Sequence, residues 1–159
     1  FSTFLDTPCR LVRISETYDR PVDRTYSPQA AQVSFADGFP LLMISEASLA
    51  DLNQRLVDPL PMNRFRPNLV VSGCEPFAED TWQTLRIGEV TFYGVKPCTR
   101  CVVTTTDQRT AIRGQEPLVT LAQYRRIPGG IIFGQNLVHA GVGEVQVGNG
   151  VEVLAPLQP

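Results

Sequence analysis

The stretch Val95-Lys96-Pro97-Cys98-Thr99-Arg100-Cys101-Val102-Val103-Thr104-Thr105-Thr106 decides how this chain is read. Residues 102–106 are all β-branched, which predicts a strand, because such side chains are stiff and suit a pleated surface. Cys98 and Cys101 are therefore expected in a turn that opens onto that strand. Pro97 fixes its own φ and biases Lys96 toward extended geometry. Arg100 sets a positive charge beside both sulfurs. Thiols in such a setting serve as a nucleophile or as a metal ligand.

Working outward, the segments on either side are also mostly strands. Trp82–Ile87 and Glu89–Val95 flank Gly88 and predict a hairpin with a tight turn. Leu69-Val70-Val71-Ser72-Gly73-Cys74 is an apolar run that suits a strand buried on both faces, with Arg64 and Arg66 before it. Leu41-Leu42-Met43-Ile44 follows the turn residues Asp37-Gly38 and Pro40 and reads as a short buried strand. Cys9–Ile14 alternates enough to predict a half-buried strand, and residues 15–31, with Pro21 and Pro28, a long surface loop. Toward the C-terminus, Ile131–Val138, Gly143–Val147 and Val151–Leu154 predict three more strands, the last two joined by Asn149-Gly150.

Two helices interrupt this pattern. Ser45 is a good N-cap, Glu46 suits the positive first turn, and Leu49, Leu52 and Leu56 recur on one face, up to Pro59. Pro117–Arg126 has proline at its start and cations at its end. Many short strands with glycine turns and few helices predict a mainly β protein, a closed or partly open β-barrel with two or three short helices.

The chain has 159 residues, 43% hydrophobic and 19% charged, which fits one compact unit. Its formal net charge of -2 gives no electrostatic reason for a nucleic-acid partner, and no apolar run is long enough to span a bilayer. Four cysteines, two of them the isolated Cys9 and Cys74, are few for a disulfide scaffold, so a reducing cytoplasm is expected. The first residue is Phe1, as expected of a piece of something longer.

The chemistry narrows by residue type. His139 is the lone histidine, and there is no Gly-x-Ser-x-Gly elbow to support a serine triad. The C-terminal glycines lead into strands instead of opening a helix, which argues against a phosphate-cradling loop. Structural zinc wants two close pairs of ligands, and only one pair is present. A thioredoxin-like dithiol wants a helix after its second cysteine, where a strand is predicted here. One thiolate serving as a soft ligand to a redox metal, with polar neighbours holding a cofactor, remains open beside these weakened readings.

Asn63-Arg64-Phe65-Arg66-Pro67-Asn68-Leu69-Val70-Val71-Ser72-Gly73, Ile87-Gly88-Glu89-Val90, Lys96-Pro97-Cys98-Thr99-Arg100-Cys101, Glu116-Pro117-Leu118 and Phe133-Gly134-Gln135-Asn136 occur in the order seen in the MOSC domain, the C-terminal domain of molybdenum-cofactor sulfurases. The chain resembles that family from about Phe35 to Leu154, and most closely its amidoxime-reducing branch. Residues 1–34 then read as a lead-in segment and 35–155 as the barrel. The resemblance implies molybdenum cofactor (molybdopterin) as the cofactor and Cys101 as the metal-ligating, catalytic thiolate, with Cys98 unbound. It further implies cofactor contacts from Arg66 and Asn68, from Thr99, and from Asn136, where relatives carry Tyr. The implied reaction reduces small N-hydroxylated compounds, with electrons delivered by a separate iron–sulfur domain or flavoprotein. A persulfide-carrying sulfurase role and a cofactor-free binding module are the alternatives.

Overall fold

In the computed structural model, which describes residues 1–27 and 31–156, one sheet holds seven strands. They are β1 (Leu41–Ser45), β2 (Leu69–Val71), β3 (Trp82–Ile87), β4 (Val90–Thr99), β5 (Arg126–Ile127), β6 (Gly130–Ala140) and β7 (Val151–Pro156). Their order is β2-β1-β6-β4-β3-β7, with β5 paired to the start of β6. Only β1 and β2 run parallel. The sheet curls strongly, and its outermost strands β2 and β7 are not paired with each other, so the fold is a partly open β-barrel.

The expected β3–β4 hairpin forms about Gly88, which takes φ 57. A close approach at the far end of this ladder explains another glycine: a Cβ on Gly94 would stand 2.1 Å from the Trp82 carbonyl oxygen. The β4–β6 ladder slips twice, between Gly94 and Lys96 and between Pro97 and Thr99.

The two faces of the sheet carry separate apolar clusters. Met43, Val71, Leu85, Ile87, Val90, Phe92 and Leu137 fill one side, with Trp82 and Cys74 partly buried against them. Leu42, Ile44, Leu52, Phe65, Leu121 and Phe133 fill the other. This second cluster is covered by helices α2 (Glu46–Gln54) and α3 (Leu118–Tyr124), whereas the first helix, α1 (Ser2–Leu5), is exposed. Because both faces of β1 are covered, four of its five residues are buried, and an apolar run without alternation becomes a strand. The α2 helix begins as its sequence predicts, with the Ser45 hydroxyl accepting from Ser48 N at 3.0 Å. Leu52 is fully buried and Leu49 and Leu56 lie beside it, each buried side chain contributing about 1.5–3 kcal/mol.

One acidic residue ties this corner together. Glu79, fully buried, accepts from Ser45 N at 3.0 Å and from the Ser48 hydroxyl at 2.7 Å. Nearby, Asp80 pairs with Arg125. Burial pushes the Asp80 carboxyl up from its ordinary value, against the opposing pull of Arg125.

A third cluster explains the N-terminal segment. Val22 and Val33 pack with Val138, beside Tyr93 and Val95, on the outer surface of β4 and β6. Pro21 and Gln32 form an antiparallel bridge.

Three expected strands are absent. Cys9–Ile14 forms no strand and is almost entirely exposed, so its alternating apolar residues have no core to face. Residues 143–147 are loop; Asn149 Oδ1 accepts from Gln146 N at 2.8 Å, so the Asn149-Gly150 turn precedes β7 without joining two strands. Residues 102–105 form a 3-10 turn in place of a strand. Of the predicted loop 15–31, residues 28–30 lie outside the described residues.

Candidate functional site: a basic cavity carrying both close thiols

The correction at residues 102–105 reorganises the thiol pair. The strand carries the first cysteine and does not follow the second: β4 runs through Cys98 and Thr99, and Cys101 precedes the 3-10 turn Val102–Thr105. The Cys101 carbonyl accepts from Thr104 N at 3.2 Å and from the Thr104 hydroxyl at 2.9 Å, which fixes its backbone. Its thiol is exposed. Cys98 is half-buried against the apolar cluster of Phe65 and Phe133. Its sulfur accepts from Arg100 Nη1 at 3.0 Å. The same guanidinium donates through Nη2 to the Phe65 carbonyl at 2.7 Å, and the Arg100 amide donates to Ile131 O at 2.7 Å.

These residues line a cavity of about 420 Å³. Cys101, Arg66, Asn68, Thr99 and Asn136 all stand on its wall, so all five residues singled out in the sequence meet in one place. Strand pairing accounts for three of them. Thr99 is opposite Ile132, and Asn136 is opposite Leu42 on β1 and Lys96 on β4. Asn68 lies just before β2. Its side-chain Oδ1 accepts from Leu42 N at 2.8 Å and its own amide donates to Leu42 O at 2.8 Å. Asn68 therefore extends the β1–β2 ladder by one position, and its Nδ2 group remains available to the cavity.

Arg66 is different. Its φ is 56, a left-handed conformation that costs about 1–2 kcal/mol for a residue with a Cβ. Among the described residues no ion pair or hydrogen bond engages its guanidinium, and it is exposed on the cavity wall. A strained backbone that presents a free cation is the pattern expected where the charge is used.

Sequence reasoning did not find the depth of the basic character. Arg64 and Arg100 also line the cavity, against a single lining carboxylate, Asp37. Arg64 is only 8% exposed and pairs with Asp107 at 2.9 Å. The Asp107 carboxyl is held below its ordinary range, chiefly by the Thr110 amide, then by the Thr110 hydroxyl, with Arg109 N and the Arg64 charge adding to it. Buried Nε atoms of both Arg64 and Arg100 have no hydrogen-bond partner. Three guanidinium groups on one wall, that of Arg66 free of any partner among the described residues, give the cavity a basic character that suits an anionic ligand. The signal in the sequence was Asn63-Arg64-Phe65-Arg66 itself, but charge alone does not say which arginine is buried.

A larger hollow of about 600 Å³ lies on the far side of Arg64 and Asp107, and neither close thiol lines it. Cys74 stands apart as well: burial pushes its thiol up, against a hydrogen bond from Ser45 that lowers it. His139 is exposed, with Nδ1 3.0 Å from the Gly141 carbonyl. Among the described residues, no group of three or more His, Cys, Asp or Glu side chains could hold a metal ion by itself, and no helix is long and apolar enough to cross a membrane.

A family model described as the MOSC domain matches residues 30–152. Human mitochondrial amidoxime-reducing component 1 is 42% identical over 132 residues, covering 77% of this chain and 39% of that protein. Rat mitochondrial amidoxime reducing component 2 is 39% identical over 166 residues, 95% of this chain and 49% of that protein. Rice molybdenum cofactor sulfurase is 40% identical over 151 residues, 84% of this chain and 18% of that protein. The chain thus spans less than half the length of each of these relatives.

Proposed function

The chain belongs to the MOSC domain family, and from that premise we propose that its basic cavity binds molybdenum cofactor for the reduction of N-hydroxylated compounds. A role connected with molybdenum cofactor fits the family and both kinds of relative. The observation that carries the finer reading is the donor set on one wall: an exposed thiol on a backbone fixed by Thr104, facing the same cavity as three arginines. A thiolate is a soft ligand suited to a redox metal, and guanidinium groups suit the phosphate of a pterin. The residues present therefore fit the cofactor.

In this reading Cys101 holds the metal, and Cys98 does not, because its sulfur is packed into the apolar cluster and engaged by Arg100. Arg66 pairs with the cofactor phosphate. Asn68 Nδ2, the Thr99 hydroxyl and the Asn136 amide supply neutral hydrogen bonds around it, and Asp37 is the single carboxylate of the lining. When bound, the cofactor supplies the two-electron couple for R–NHOH + 2 e⁻ + 2 H⁺ → R–NH₂ + H₂O. The electrons come from a separate iron–sulfur domain or flavoprotein, since the three cysteines besides Cys101 are too few to hold a four-cysteine cluster. We take residues 35–155 as the cofactor-binding barrel, a small molecule as the substrate, and the cytoplasm as the compartment.

The test is metal analysis of the full-length protein purified from a cofactor-sufficient host. Near-stoichiometric molybdenum is expected in the wild type and in Cys98→Ala, and loss of the metal in Cys101→Ala. Equal metal in both variants refutes the assignment. Cyanide-releasable sulfur on the metal-free protein would favour the sulfurase reading, which the name of the rice relative raises.

A further inference from the structure

One wall of the basic cavity is the loop Phe35–Pro40, and it is held from outside the matched family region. Arg20 reaches across to this loop. Its Nη1 donates to the Ser34 carbonyl at 3.0 Å and to the Ala36 carbonyl at 2.7 Å, and its Nη2 donates to the Asp37 carbonyl at 2.7 Å. One guanidinium thus satisfies three carbonyls within residues 34–37, two of them on wall residues, and the fork geometry makes this possible where a single ammonium could not match it. Arg20 is itself anchored: its amide donates to Gln32 Oε1 at 2.9 Å, and its carbonyl accepts from the Val33 amide at 2.9 Å. Val22 and Val33, buried on either side, pack onto β6 at Val138.

The clamped loop is not relaxed. Ser34 has φ 59, a left-handed conformation that a residue with a Cβ keeps only when its surroundings impose it. The Arg20 bond to the Ser34 carbonyl is such an imposition. The same clamp fixes Asp37, the single carboxylate on a wall with three arginines.

We propose that Arg20 is a positioning residue for the cavity: its guanidinium sets the course of residues 34–37 and thereby the placement of Asp37 and the Phe35–Pro40 wall. The residue never touches the cavity itself. The segment before residue 35 is then a working part of the site rather than a lead-in to it. The link to cofactor loading rests on the reading of the cavity given above, whereas the clamp does not.

The two are separated by measuring both in full-length protein. Amide exchange in the peptide covering residues 34–40 is expected to rise about ten-fold or more in Arg20→Ala, the loss of charge-assisted hydrogen bonds, while β1 and β6 keep wild-type protection. Arg20→Lys recovers only part of that protection. Molybdenum content is expected to fall in Arg20→Ala and to recover partly in Arg20→Lys, a graded rescue that general loosening of the N-terminal segment would not produce. Unchanged exchange at 34–40 overturns the clamp. Raised exchange with wild-type metal content overturns the positioning role. A wild-type protein without molybdenum defeats the cofactor reading, and the exchange contrast still decides whether Arg20 holds the wall.

Discussion

Asn68 does two things with one side chain, and two substitutions pull them apart. Its Oδ1 accepts the Leu42 amide at 2.8 Å and closes the end of the β1–β2 ladder, while its Nδ2 is left to the cavity. Asn68→Ala strands a partly buried Leu42 N–H, a loss of about 1–3 kcal/mol. In a domain of this size each kcal/mol corresponds to about 2–4 °C, so melting is expected to fall by roughly 2–12 °C. Asn68→Asp keeps an acceptor for Leu42 N and makes it a charged one, so stability stays near wild type. It also replaces an amide donor by a negative charge facing the cavity, which opposes an anionic cofactor. The assay is calorimetry beside molybdenum content on the same preparations. The expected result is a crossed pattern: Asn68→Ala less stable, and Asn68→Asp stable but depleted in metal. An Asn68→Asp protein that melts below Asn68→Ala would refute the structural role, and one that loads metal as the wild type does would refute the cofactor role.

Gly134→Ala places a Cβ 2.6 Å from Ile44 Cγ1 and 2.8 Å from the Met43 carbonyl, at φ 83, so backbone strain and overpacking together should destabilise by about 2–5 kcal/mol. Urea unfolding checks this, and a change below about 1 kcal/mol contradicts the described register of β6. Tyr124 has its phenol pushed up to about 12, first by burial and then by the nearby Asp51 charge. A folded-state value above the unfolded one gives stability that is present below pH 10 and lost as pH rises toward 12. Tyr124→Phe should therefore flatten the fall of the urea midpoint across that window, and an unchanged slope would remove Tyr124 as its cause.

The helix at Glu46–Gln54 was legible because every signal for it is local: a cap, a first-turn acid and a leucine stripe. The Gly88 hairpin was legible for the same reason. The β-branched run after Cys101 misled because its threonines bond backward. Thr104 and Thr105 hydroxyls donate to the carbonyls of Cys101 and Val102 at 2.9 and 2.8 Å, so the turn satisfies itself locally and needs no strand partner. Cys9–Ile14 had the alternation of a strand, but Leu11 and Val12 are both exposed, and alternation does not supply a core to face. At the site, motif order pointed to Arg66, Asn68, Thr99, Cys101 and Asn136, and the fold brings them to one cavity. Arg64 and Arg100 were not distinguishable as wall residues, since their burial is set by Asp107 and Phe65, which are 43 and 35 residues away. Arg20 gave no signal at all, because its partners are backbone carbonyls, which every sequence has.

The two slips in the β4–β6 ladder set a limit on how this domain can be redesigned. Strand residues alternate faces, so one residue gained or lost reverses everything beyond it and advances the chain by about 3.3 Å. The slips at Gly94–Lys96 and Pro97–Thr99 fall just before and across Cys98. Straightening either one into regular pairing would turn Cys98 out of its apolar seat, take its sulfur from Arg100, and carry Cys101 off the wall it shares with Arg66. The irregularity works as a phase setting for the thiols, and an idealised strand with the same cysteines would present them to the wrong side.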